Sequence, residues 1–354
     1  MINLGDMIVF LATRVHSYTV TSLEDGSFGV ALPEVRVIAY EDALLAEDMP
    51  RGTYIFTDIE RLTLWERMQA AELYRALCDA GCRCLNDPAM VMTRYTLLRT
   101  LHHAGVNPFR VWRLDDAIIA GIAGPSSRRG RGWSALTRRL RHRQPAPRFP
   151  VFLRTEADHD RPLTDPLPTP DALAAAIGAL HRQGVPISGV MMIEYCAEPM
   201  QDGVWAKFGT ARIGDLVSTD HAVIEDNWCV RSGTTDLATP EMFEWEHRNV
   251  VTNAYAAAVA AAFRLGHIEY GRADHATVGG REVIYEINTN PNLLPLAPQT
   301  SPIRDETLRV GRTRFADGLR AIDGPTGAAI PVPRSARAER HAYFGNVPAM
   351  QFRP

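Results

Sequence analysis

Residues 271–295 read GRADHATVGGREVIYEINTNPNLLP, and the chain is best read outward from this stretch. The run ending in Glu286-Ile-Asn288-Thr-Asn290-Pro291 is a strand by its period-two alternation. That alternation sets Glu282, Ile284, Glu286 and Asn288 on one face and Val283, Tyr285 and Ile287 on the other. Residues 267–277 read as the pairing strand, with Tyr270, Arg272 and Asp274 on one face. Val278-Gly279-Gly280-Arg281 between them is a hairpin signal. A two-residue Gly-Gly loop pairs Val278 with Arg281 and puts Asp274 and Glu286 on opposite faces. A three-residue loop, 279–281, pairs Val278 with Glu282, Asp274 with Glu286 and Arg272 with Asn288. The second register is the one expected here.

Two carboxylates side by side repel unless a cation lies between them. Oxygens of Asp274, Glu286 and Asn288 suit a hard ion such as Mg²⁺, which keeps several waters and takes further ligands from phosphates. The alternative is a solvated sheet edge, where scattered acids cost nothing. Gly271-Arg272-x-Asp274 followed by Glu286-x-Asn288-x-x-Pro291 resembles the metal-binding end of the ATP-grasp superfamily, which includes D-alanine–D-alanine ligases and glutamate-adding ligases. The resemblance implies an α/β (α+β) ATP-grasp fold, two α+β lobes clasping ATP, preceded by a small α/β domain. It also implies that Asp274, Glu286 and Asn288 hold one or two Mg²⁺ ions (Mn²⁺ being an alternative) on ATP. Arg272 would be the catalytic arginine that stabilises the transferred groups.

Composition sets the frame for that idea. The chain has 354 residues, 46% of them hydrophobic and 22% charged, enough for two or three domains with sizeable cores. Its formal net charge of −3 gives no global basic field to attract nucleic acid. Lys207 is the only lysine, so any other cationic phosphate contact falls to arginine. Five cysteines, an odd number, and the absence of a basic, apolar leader point to a reduced cytoplasmic setting. Cys78, Cys82 and Cys84 hint at zinc, but without a second ligand cluster they read better as small buried thiols. No run is long enough to span a membrane.

In chain order, runs 7–12, 35–40 and 54–58 are expected strands, 62–80 a helix and 82–85 one more strand. Together they make an N-terminal α/β domain, 1–85. A helix over 89–104 follows Asn86-Asp-Pro88, then a strand at 109–114. By resemblance, Arg94 takes the place of a nucleotide-binding lysine on that helix. The segment 115–150 is a poor core former. Within it, 126–148 holds eight arginines, read as a solvated loop with nucleic-acid binding as the rival. The strand 150–154 ends in Arg154, which takes a second lysine's place on the phosphates. The lid that follows, Glu156-Ala-Asp158-His159-Asp160-Arg161-Pro162, lacks the glycines that would let backbone amides cradle phosphate. Arg161 or His159 would have to serve instead.

A helix over 171–184 leads to a strand at 190–193. By resemblance, Glu194, Tyr195 and Cys196 then form the hinge beside adenine, with Asp202 on the ribose and Glu198 as its rival. Strands are expected at 204–209, 210–213 and 215–221, with Lys207 facing the triphosphate and Arg231 near the same cleft. One long helix, 241–265, precedes the hairpin, and a closing helix, 308–322, follows it. The domains expected are 1–85, a first lobe 86–200 carrying the basic loop, a second lobe 201–325 carrying the hairpin, and an Arg/Pro-rich tail 326–354.

The resulting expectation is an ATP- and Mg²⁺-dependent ligase of a small-molecule or peptide carboxylate with an amine (or thiol), through an acyl phosphate. An ATP-grasp phosphotransferase without ligation and a non-catalytic ATP-binding regulator are its rivals. A homodimer is left open as the assembly.

Overall fold

The computed structural model describes residues 7–119, 146–157, 161–299 and 301–332. His159, most of the basic run 126–148 and the tail from 333 onward lie outside the described residues. The architecture is mixed α/β, as expected.

The N-terminal sheet is parallel. Strands β1 (Met7–Ala12), β2 (Glu34–Ala39), β4 (Thr53–Phe56) and β5 (Cys84–Leu85) stand in the order β2-β1-β4-β5. All of β1 and β4 is buried, which is why both read as unbroken apolar runs rather than alternating ones. The helix Leu64–Asp79 begins at a capping box, Thr63 with Glu66. Strand β3 (Asp48–Met49) pairs with β13 (Ile330–Pro331), so the chain returns to this domain beyond residue 325.

The first lobe is small. Strands β6 (Val111–Arg113), β7 (Val151–Thr155) and β8 (Val190–Glu194) form an antiparallel sheet in the order β6-β8-β7. Their inner face packs with the helices Leu114–Ile119 and Pro170–Arg182 into a separate core around Leu153, Leu173 and Met192. The second lobe is an antiparallel sheet, β10-β9-β11-β12, built from β9 (Trp205–Ile213), β10 (Leu216–Glu225), β11 (Tyr270–Val278) and β12 (Arg281–Asn288). The two strands expected at 204–209 and 210–213 are thus one, Trp205–Ile213.

Two helix expectations are corrected. The helix after Asn86-Asp-Pro88 runs only over Arg94–His103, with Thr93 as N-cap. The single helix expected over 241–265 is two, Pro240–Val251 and Ala256–Leu265. Between them Asn253 is left-handed, and its amide oxygen accepts the Thr219 N–H at 2.7 Å while its NH₂ donates to the Val217 carbonyl at 3.1 Å. These bonds to β10 compensate the interrupted helix ladder.

Two buried asparagines hold the hairpin in place. Asn86, at φ 64°, donates to the Phe56 and Tyr270 carbonyls and accepts from the amides of Glu269 and Tyr270. It thereby fastens the start of β11 to the N-terminal sheet. Asn107 does the same for β12, accepting from Ile284 N–H at 2.9 Å and donating to its carbonyl at 2.8 Å. β12 is an edge strand, and Asn107 pairs backbone groups that would otherwise be orphaned.

Candidate active site between the two lobes

The hairpin reaches the expected pairing by a different route. Gly279 and Gly280, at φ 57° and 74°, make a two-residue turn that pairs Val278 with Arg281. Such a turn matches the strand twist, and both central residues need positive φ, which glycine supplies. The three-residue loop is therefore corrected. Between His275 and Asp274 the register then shifts, because Tyr285 is an extra residue on β12. This bulge restores the parity, so Asp274 stands opposite Glu286 and Arg272 opposite Asn288. Asn107 grips Ile284, the residue beside the bulge.

Asp274 and Glu286 both line a cavity of about 570 Å³. Strand β7, the end of β8, the start of β9 and the exit of β12 form its walls, with Tyr18, Thr19 and Arg61 of the N-terminal domain at one end. Each acid has a cation. Lys207 Nζ lies 2.6 Å from Asp274 Oδ2. Arg94 Nη2 lies 2.6 Å from Glu286 Oε2, with Arg154 Nη2 at 3.7 Å. Arg94 is buried and also donates to the carbonyls of Thr155 and Glu156, so it joins Glu286 to the lid rather than lining the main cavity. Burial of Arg154 weighs against its charged form, and Glu286 opposes that effect.

Arg272 is seated by its neighbours. A Cβ at Gly209 would come within 2.9 Å of Arg272 Cδ, so only glycine leaves room there. Its Nε lies 3.7 Å from Asp274 Oδ1, and its Nη1 lies 4.0 Å from Asp220 Oδ2. Asp220 and His221 occupy a bulge of β10, and their side chains pair at 2.8 Å. Burial pushes the Asp220 carboxyl up, but His221, Arg272 and Arg312 outweigh it and bring it down to about 2. Asp220 therefore stays anionic beside Arg272. Gly311, in the helix Pro302–Ile322, makes the space, since a Cβ there would meet Asp220 Oδ1 at 2.8 Å.

The hinge residues divide. Glu194 is 2% exposed, and its carboxylate takes the backbone amides and guanidinium groups of both Arg110 and Arg148. Its role there is to fasten the ends of β6 and β7 to β8. The Tyr195 N–H donates to the Pro150 carbonyl at 2.9 Å, so it is not available to an adenine edge. Tyr195 and Cys196 do line the cavity. Burial pushes the Cys196 and Cys229 thiols up, which disfavours thiolate chemistry at either. Asp202 lies on an exposed turn outside the cavity. Glu198 lines the cavity, though its carboxylate accepts the Gly279 N–H at 2.9 Å.

Sequence reading missed Trp228, Asp220 and Arg61. Trp228 packs edge-on to Phe152 (ring centroids 5.0 Å) and Tyr195 (5.4 Å), linking the second lobe to the first across the cavity. Its loop is held by buried Glu225, whose Oε1 accepts the amides of Arg231, Ser232 and Gly233. The only sequence signal for Trp228 was its place two residues before Val230-Arg231. A tryptophan packed between two lobes on the cavity wall reports what enters that cavity. A ligand that enters the cavity should therefore change the intrinsic fluorescence of the protein, and Trp228→Phe should remove most of that change; an unaltered response in the variant would place the reporter elsewhere.

The donor set fits a hard divalent cation. Two carboxylate groups face one cavity across paired strands, with the amide of Asn288 on the same wall. The Asn288 oxygen also accepts the Asn290 N–H at 2.8 Å, which orients it.

No family model matches the sequence, and no curated protein matches it. Among solved structures the chain is similar to the ATP-grasp ligase PsnB complexed with a precursor variant, Mg and ADP. The two are 15% identical with a TM-score of 0.49, over 91% of this chain and 99% of that one. It is also similar to the D-alanine–D-alanine ligase from Bacillus anthracis complexed with ATP, at 10% identity and a TM-score of 0.46, over 90% of this chain and 97% of that one. D-cycloserine synthetase DcsG is a third, at 15% and 0.44, over 88% and 98%. The likeness is one of fold, to ligases of the ATP-grasp superfamily. No helix among the described residues is long and apolar enough to cross a membrane.

Proposed function

We propose that this chain is an ATP- and Mg²⁺-dependent ligase that joins a carboxylate to an amine or a thiol. The observation that carries this reading is the register of the hairpin. Asp274 opposes Glu286 and Arg272 opposes Asn288, with Lys207 and Arg154 on the same cavity. Asp274, Glu286 and Asn288 would hold Mg²⁺, which when bound neutralises phosphate charge and orients the nucleotide. Arg154 and Lys207 face the space for the triphosphate, while Phe152, Tyr195, Cys196 and Trp228 offer a largely apolar wall for the base. Transfer of the γ-phosphoryl group to a substrate carboxylate breaks the bond to ADP and forms an acyl phosphate. Attack by the amine expels inorganic phosphate and leaves an amide. Charge grows on the moving oxygens in both steps, and the Arg272 fork, fixed by Gly209, Asp220 and Asp274, is positioned to meet it.

The test is a screen of carboxylate and amine pairs for phosphate release. Release that requires both partners is the expected result; release that needs only one overturns ligation. Glu286→Gln serves as the blank. It removes one of two facing carboxylates, so Mg·ATP binding should weaken by about tenfold or more, read by calorimetry. Unchanged affinity would take Glu286 out of the metal site.

A further inference from the structure

The N-terminal end of the cavity has chemistry of its own. Strand β1 has β2 on one side and β4 on the other, all parallel, and the chain leaves β1 and β4 in opposite directions. Open parallel sheets bind ligands in the crevice at such a point, beyond the strands' carboxyl ends. Thr13 follows β1 there, and Asp58 lies just past β4. Asp58 is fully buried and left-handed, at φ 58°. It accepts from the Thr13 N–H (3.2 Å), the Thr13 hydroxyl and Arg61 Nη1, with His16 Nδ1 at 3.4 Å. A buried carboxylate with this many contacts is a fixed anchor.

What it anchors is Arg61. That side chain is 21% exposed and lines the same cavity as Arg272. Among the described residues its guanidinium has one hydrogen bond, through Nη1 to Asp58. The rest of the planar fork has donors left for a ligand. The wall around it is fastened to the exit of β12. Glu60 accepts from Thr289 Oγ1 at 2.7 Å, Thr19 Oγ1 donates to Asn290 Oδ1 at 2.8 Å, and Leu293 N–H donates to the Thr19 carbonyl at 2.7 Å. Asn290, Asn292 and the exposed ring of Tyr18 complete this end. A rigid arginine among amides and a phenol ring suits a small organic anion.

We propose that Arg61, oriented by Asp58, docks a non-reacting carboxylate of a substrate other than ATP, so that this substrate is either an amino acid, as the amine partner, or a dicarboxylic acid, as the carboxylate partner. For the reaction this rests on the ligase reading above; for binding it does not. The experiment titrates the common amino acids and short dicarboxylic acids, each beside its primary amide, into the full chain with Mg²⁺, both with and without a non-hydrolysable ATP analogue. Phosphoethanolamine tests phosphate as the anion. At least one acid should bind about tenfold or more tightly than its own amide. Arg61→Gln should abolish most of that preference while leaving affinity for the analogue unchanged, and Arg61→Lys should restore part of it. The proposal is overturned by a panel without acid-over-amide preference, by a preference that survives in Arg61→Gln, or by binding of the phosphate compound alone. Failure of the analogue to bind would sink the ATP reading instead, and the titrations without nucleotide still decide the role of Arg61.

Discussion

Arg272→Ala should lower turnover by about 10²–10³ while keeping most of the affinity for Mg·ATP. Losing one preorganised donor at a centre of developing charge typically costs on that order. Lys207 and Arg154 remain to hold the nucleotide, because they line the cavity from β9 and β7 rather than from the hairpin. Arg272→Lys should rescue little. The ammonium of lysine is a point charge and cannot span the space between Asp220 and Asp274 as the guanidinium does, with contacts at 4.0 and 3.7 Å. Calorimetry of nucleotide binding and turnover on a working substrate pair check this together. Near wild-type turnover in Arg272→Ala would make the residue structural. Gly209→Ala is a milder version of the same change, since its Cβ would press on Arg272 Cδ at 2.9 Å.

Glu194→Ala should destabilise the fold by about 3 kcal/mol, the low end of the cost of breaking a buried ion pair. The low end applies because Arg148 is 64% exposed and can turn to water, whereas Arg110 is 18% exposed and cannot do so freely. Burial pushes the Glu194 carboxyl up, but the bonds from Arg148 and Arg110 prevail and hold it below its ordinary 4.5. A depressed folded pKa means the stabilisation is fully present above pH 4.5 and is lost as the pH falls through the folded value. Urea midpoints should therefore drop below pH 4.5 in the wild type and drop less in Glu194→Gln. A shift under about 1 kcal/mol for Glu194→Ala would show that the arginines find equally good contacts without it.

Much of the hairpin was legible because its signals are local. Gly279-Gly280 marks the turn, and alternation marks the strands. The opposition of Asp274 to Glu286 was expected through a three-residue loop. The turn length did not follow, because two choices that look alike locally differ by one residue of register. The bulge at Tyr285 compensates for that residue, and it is fastened by Asn107, distant in sequence. The split of 241–265 was hidden for a similar reason. No glycine or proline marks it, and Asn253 is held left-handed by bonds to Val217 and Thr219.

The sequence by itself therefore determined the residue types of the site, the strands that carry Arg272, Asp274, Glu286 and Lys207, and the mixed α/β class. Tertiary structure decided which cation each acid holds, that Glu194 is occupied by two arginines, and that Asp202 stands outside the cavity. It also decided that Trp228 and Arg61 line the cavity and that Asp220 stands beside Arg272. Alternation and turn signals fix which way a residue points relative to its own strand. Burial of charge, cross-lobe ring packing and bonds between residues far apart in sequence depend on where whole elements come to rest. That is set by the shared cores, not by any local pattern.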